Sequence, residues 1–486
     1  MIGLALVLAL SAAPRLPYGD EINAECAAGP IDVDPAHATS IAELALASAL
    51  FEGLYAYDER GEVVPVLARE LPVEQDGRLI IPLRTGVVLH DGRALGPALV
   101  ERAIARWASA RSGAADLVLP IAGVRRRLAG DSSAPVGVRA LEAEHAVELS
   151  LEHPFPDLPR FWASPRAAVA VAASGRESGW VGTGPFRLDR GRTPDGGVNI
   201  SAFLGYREGR PFLERVHFRP ARGPFAERRA KESAELLLDV PADAAPSAAG
   251  RPPRELWFLA VGKRRPELRS AVLFRAIDSA LGRERLAKRY LSGEAVPVRT
   301  LTGLDDAPEL TLPPRRPEEL RATLLVPDRL TGERRFAERI QLDLLRAGIT
   351  VVLETLSPAA IAERRKSGDF ELMLDRALLE GGPRADSAQE LEALLSMAGS
   401  LGILPEVVGR DELARIETAD EPERRRRVAV LDRRLRDEAW IVPLVERTPL
   451  AIAWNTLIGA QRLPSGAVRL DDAYPARPGE LPGGER

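Results

Sequence analysis

The sequence predicts an α/β fold of more than one domain, and three stretches point to it. Residues 321–328 read as a strand, 335–346 as a helix and 347–353 as a turn and strand, which together make a βαβ unit with a parallel sheet. The apolar run ELWFLAVG (255–262) reads as a buried strand, and a long helical pattern follows it over 267–293. The turn WVGTGPF (180–186) enters a strand, and a second turn at Pro194-Asp195-Gly196-Gly197 leads into 198–203, so the whole reads as a hairpin. At 486 residues the chain can fill two or three domains with sizeable cores.

In chain order, Ile2 to Leu10 form an apolar run followed by Ser11-Ala12-Ala13. Such a run is too short to span a bilayer but suits the core of a signal peptide, expected over 1–16. No Lys or Arg precedes it, which a misplaced start codon would explain; the alternative is a buried N-terminal element of a cytoplasmic protein. Residues 21–26 alternate as a strand, Asp34-Pro35 marks a turn or helix entry, and 41–54 form an apolar helix. The pattern of 55–71 reads as a strand, a turn and a Pro-led helix, and 76–95 as a hairpin with turns at Asp76-Gly77 and Asp91-Gly92. A helix is expected over 98–110, a strand over 141–151 and a loop at His153-Pro154-Phe155. Beyond the hairpin, Val216-His217-Phe218 alternate as a strand, and 221–254 hold a helix, the strand ELLLDV and a linker over 241–253. The C-terminal half adds a strand over 367–377, a charged helix over 424–437, a strand over 439–454 and a frayed tail from Pro475.

Composition excludes several functions. A formal net charge of −4 argues against nucleic acid as a partner, and Arg125-Arg126-Arg127, without interleaved aromatics, reads as a solvated face. Lys occurs only at Lys231, Lys263, Lys288 and Lys366, an Arg bias that reads as GC-rich codon usage rather than phosphate recognition. A single cysteine, Cys26, excludes an internal disulfide, and the five histidines show neither HxH nor HExxH spacing, so no metal or other cofactor is expected. No GxSxG, Cys–His or zinc signature supports a hydrolase.

Taken alone, the 180–203 hairpin fits any α/β protein. The order GTGPF, hairpin strand, then Tyr206-x-x-Gly209-x-Pro211-Phe212-Leu213-x-x-Val216-x-Phe218 resembles the family 5 extracellular solute-binding proteins of peptide and nickel ABC importers. Further matches are Asp34-Pro35, Phe51-Glu52-Gly53-Leu54, and Leu83-Arg84-x-Gly86-Val87 with His90-Asp91-Gly92. Ala276-Ile277 with Ala280, Leu281 and Arg283, and the run 340–356, extend the resemblance over roughly 20–470. His90 could otherwise tempt as a metal ligand or base; the resemblance assigns it to a structural turn. The fold so implied is periplasmic binding protein-like: two α/β lobes joined by hinge strands, with a smaller domain inserted in the first. The expected division is 17–53 and 169–256 for the first lobe, 54–168 for the insert, 257–454 for the second lobe and 455–486 for the return.

The resemblance implies a monomeric, non-enzymatic, periplasmic protein that closes on a peptide or other small-molecule ligand and delivers it to an ABC permease. Gly29, Glu380 and Gly381 are the expected ligand-binding residues. Glu380 stands at the position of the family's amine-binding Asp, with Ala377 where a Trp is usual; as a lone carboxylate it could equally be a solvated loop residue. The family's Tyr-Trp after the hairpin is replaced by Tyr206-Arg207. These departures leave open a degenerate homologue that acts as a receptor or interaction module without transport.

Overall fold

A computed structural model of the protein describes residues 18–26, 31–58, 60–75, 78–109, 112–174, 179–189, 191–220, 234–241, 252–291, 295–304, 320–328, 331–382, 386–401, 403, 408–438, 440–453 and 457–476. The predicted signal peptide and Gly29 lie outside these residues, as do the helix expected after 221 and most of the 241–253 linker.

Two six-stranded sheets organise the chain. In the first, the strand Glu21–Cys26 lies between Arg215–Pro220 and Leu236–Pro241 and runs parallel to both. Its alternation puts Ile22, Ala24 and Cys26 into a core shared with the helix Ile41–Leu50 and with Phe186 and Phe218. Ser40 caps that helix by accepting from the Glu43 N–H. The predicted hairpin is present as Phe186–Leu188 paired antiparallel with Val198–Ala202.

The second sheet is mixed and centres on Arg254–Val261, whose eight residues are all buried between Leu372–Leu379 and Ile441–Arg447. The βαβ unit is observed: Leu320–Pro327 and Ile349–Leu356 pair in parallel, joined by the helix Thr331–Arg346. The chain passes from first sheet to second between Leu236–Pro241 and Arg254–Val261. It returns through Thr448 alone, between Ile441–Arg447 and Pro449–Ala453. Strand pairing puts Arg254 in the second sheet and Pro449 in the first.

A smaller antiparallel sheet, Val73–Gln75, Arg78–Pro82, Ala146–Ser150 and Val138–Leu141, interrupts the first lobe. Its chain leaves beside Gly53 and comes back at Ala168, where those two residues form a bridge. Trp107 and Trp162 pack edge to face in its core, 5.7 Å apart, and the Trp162 indole N–H donates to Leu117 O at 2.8 Å.

Four local expectations are corrected. The Pro-led helix after Tyr55 is absent: Val63–Pro65 is a strand against Tyr55–Tyr57, and Ala68 bridges Leu83. The strand expected over 141–151 is two strands, because the chain reverses at His145 (φ 49°). The long helix after Val261 breaks at Leu281-Gly282 into Ala271–Ala280 and Arg283–Tyr290, since Leu281 is extended. The strand before Glu380 runs on to Leu379, held in register by Arg254.

The 180–186 turn shows why its glycines are needed. A Cβ on Gly182 would lie 2.2 Å from Leu50 O, and one on Gly184 would lie 2.6 Å from Ala49 O, so the turn can lie against the end of the 41–50 helix only without side chains. His90 clamps the same turn. Its Nε2 lies 3.1 Å from Gly184 O and its Nδ1 accepts from the Gly182 N–H at 3.3 Å. Burial lowers its pKa to about 4, so the ring is neutral at pH 7, with its proton on Nε2 where it donates to the carbonyl. His90 is structural.

A candidate ligand cleft between the insert and the second lobe

The insert, rather than the first sheet, supplies most of the described polar side chains that face the second lobe. Three segments bring them there: the turn holding Asp116, the loop and short helices over 157–167, and residues 380–382 and 386–396 after the strand Leu372–Leu379.

At the centre the Ser164 hydroxyl donates to Glu380 Oε1 at 2.7 Å. Arg166 is gripped by Asp116 through two bonds of 3.1 and 2.7 Å, and its Nη1 also donates to Ser396 Oγ of the second lobe at 2.9 Å. Beside it Arg160 makes a two-pronged pair with Asp386, 2.7 and 2.8 Å. Gln389 Nε2 contacts both the Glu380 carbonyl, 3.4 Å, and Glu392 Oε2, 3.2 Å.

The charges do not balance. Four carboxylates (Asp116, Asp386, Glu380, Glu392) face two guanidiniums (Arg160, Arg166), and each guanidinium is committed to an Asp. Glu380 and Glu392 therefore have no ion-pair partner of their own among the described residues. Glu380 keeps some exposed surface, yet the protein packed around its carboxyl raises its pKa against the pull of Arg166 and Ser164. Burial raises Glu392 well above the ordinary carboxylate range, and Glu380 adds to the effect. The structure places Glu380 where the insert touches the second lobe, bonded to Ser164, and the neighbouring Gly381 is buried.

Farther out, the same face is closed by His153 against Glu417, by Arg125 donating to Val408 O at 2.7 Å, and by Arg410 with Glu152 at 3.2 Å. Arg125 is thus an interlobe contact, a correction to the solvated reading of the 125–127 run. The sequence gives no hint of Asp116, Ser164, Arg166 and Glu392 as a group. Ser164 and Glu380 are 216 residues apart, and Arg166 and Asp116 are 50 apart.

Residues 62–317 match the bacterial extracellular solute-binding proteins, family 5 Middle. The glutathione-binding protein GsiB of Pectobacterium atrosepticum is 27% identical over 196 residues, which span 39% of this chain and 35% of that protein's length. The Escherichia coli murein tripeptide binding protein MppA shares the fold at 17% identity, with a TM-score of 0.75 over 95% of this chain and 100% of that one. Haemophilus influenzae OppA, in complex with the peptide RPPGFSPFR, does so at 15% identity and 0.74, with the same coverage. Against the unliganded open form of MppA the TM-score is 0.54, at 17% identity, over 94% of this chain and 97% of that one. Among the described residues no helix is long and apolar enough to cross a membrane. The match covers more than half of the sequence, and the chain belongs to the bacterial extracellular solute-binding proteins of family 5.

Proposed function

We propose that the chain is a non-enzymatic capture protein that closes on a cationic small solute, such as an amine or a basic peptide, and hands it to an ABC permease outside the cytoplasm. The observation that carries the reading is the surplus of two carboxylates, the half-buried Glu380 and the buried Glu392, where the insert meets the second lobe. A buried surplus of this kind either takes up protons or recruits a cation. Family membership supports capture and delivery, and the lower similarity to an unliganded open form fits lobes drawn together, as ligand binding would favour. Thr448, the single residue between Ile441–Arg447 and Pro449–Ala453, is the point about which the lobes would swing.

Isothermal titration with alanyl-lysine and alanyl-glutamate tests the charge selection. The cationic dipeptide is expected to bind and the acidic one not; tighter binding of alanyl-glutamate would overturn the reading.

A further inference from the structure

The second sheet has a face turned away from the cleft. Alternation along its central strand sends Leu256, Phe258 and Ala260 toward the core shared with the insert. Trp257, Leu259 and Val261 point the other way, into a core formed with the helices Ala271–Ala280, Arg283–Tyr290 and Thr331–Arg346. On this side an open cavity of about 750 Å³ lies between the helix Arg283–Tyr290 and the segment holding Pro297 and Arg299. Pairing of Val296 and Pro297 with Glu446 and Val445 fixes one wall. The helix is the other wall and brings Arg285, Lys288 and Arg289, all exposed.

Cations outnumber carboxylates around this cavity. Arg283, buried in the wall, is held by Asp278 and donates from Nε to the Pro443 carbonyl at 2.8 Å. Arg299, half exposed, has only that same Asp278, at 3.4 Å. Arg285 reaches only Asp343, at 3.9 Å, a carboxylate already bonded by Arg339 and approached by Arg346 at 3.5 Å. Lys288 and Arg289 have no ion-pair or hydrogen-bond partner among the described residues. Of the described residues that line the cavity, Glu284 is the one carboxylate.

Codon usage explains Arg in place of Lys, but not why cations gather round one cavity in a chain of net charge −4, with one of its four lysines among them. Like charges held close repel one another, and an anion seated between them removes that cost. Guanidinium forks match the paired oxygens of phosphate and carboxylate groups. The volume lies within the roughly 300–1,000 Å³ of small-molecule pockets, and a recess suits a solute better than a flat membrane surface does. We propose that this cavity is a second binding site, for a compact solute that carries several negative charges on phosphate or carboxylate oxygens.

Inorganic tripolyphosphate is the probe. With the full chain in low-salt buffer, calorimetry should show saturable binding that weakens as salt is added. The double change Lys288→Ala with Arg289→Ala on one wall, and Arg299→Ala on the other, should each weaken it at least about tenfold. These side chains are exposed, so the fold does not depend on them. Arg425→Ala with Arg426→Ala removes two exposed cations from the helix Glu421–Asp437, which packs on the opposite face of the sheet, and should leave the affinity unchanged. No saturable binding, as for cations that only complement a helix end, would overturn the proposal. So would affinity indifferent to the cavity substitutions, an equal loss in the control pair, or binding to phosphatidylglycerol vesicles with none to free tripolyphosphate.

Discussion

The Ser164 hydroxyl, on the insert, donates to the Glu380 carboxylate at the end of a second-lobe strand, across 2.7 Å. This bond joins two parts of the molecule that the hinge would separate, so Glu380 reports on closure as well as on charge. Glu380→Gln keeps the shape and removes the charge. A charge-assisted hydrogen bond to an ammonium contributes roughly 1.5–3 kcal/mol, so the variant should bind alanyl-lysine about 10- to 150-fold more weakly. Equal affinities by calorimetry would put Glu380 outside the recognition site.

Binding should depend on pH with a definite sign. Glu380 and Glu392 both have raised pKa values, and a bound cation, which favours their ionised forms, should pull those values down. Affinity for alanyl-lysine should rise with pH above the ordinary carboxylate range, with proton release visible as a buffer-dependent heat. In Glu392→Gln the pH slope should flatten.

Asp239 and Glu255 predict opposite pH effects on stability. Asp239 accepts from the Ile41 N–H at 2.6 Å, and burial raises its pKa from 3.8 to about 6, within reach of Arg376, Glu255 and Glu43. A raised carboxyl contributes stability that is present below its unfolded value and lost as pH rises through about 6, here roughly 3 kcal/mol. Burial works to raise Glu255 too, but Arg447 and Arg376 outweigh it and hold its pKa at about 2. Its contribution is present above the unfolded value and lost as pH falls toward 2. In chemical denaturation, Asp239→Asn should therefore gain on wild type between pH 4 and pH 7. A constant difference across that range would contradict the assignment.

Gly182→Ala should destabilise the first lobe by about 2–4 kcal/mol, because its Cβ would meet the Leu50 carbonyl at 2.2 Å in packed backbone. Gly86, at φ 75° with open space around its Cβ position, should cost only about 1–2 kcal/mol on the same change. Thermal melts of the two variants give the comparison directly.

His153→Phe should leave the Glu417 carboxyl buried, 2% exposed, without the ring nitrogen that bonds it. Leaving a buried hydrogen-bonding group without its partner costs roughly 1–3 kcal/mol, here against an interface that includes Arg125 and Asp157. Small-angle scattering should show a larger radius of gyration for the variant if this contact helps hold the lobes together. An unchanged radius would limit its contribution to local packing.

The sheets were legible in the sequence because their strands are short apolar runs between turns: the βαβ unit at 320–356 and the Gly182–Gly184 turn both stand where patterning puts them. Patterning failed where tertiary pairing decides, as after Pro65, where a helix was expected but Pro65 ends a strand paired with Tyr55–Tyr57 and Ala68 bridges Leu83. Glu380 could be singled out only because it follows a strand at a position the resemblance marked. Its companions could not be: Asp116, Ser164 and Arg166 come from loops and short turns of the insert, with no periodicity to mark them, and only the fold brings them to Glu392.

Native mass spectrometry of the full chain, purified without denaturation, tests the central claim most directly. The charge surplus at Glu380 and Glu392 predicts a co-purifying small molecule that bears an amine or guanidine and is lost from Glu380→Gln. An anionic ligand, or a bound molecule retained when both glutamates are replaced by glutamine, would contradict it.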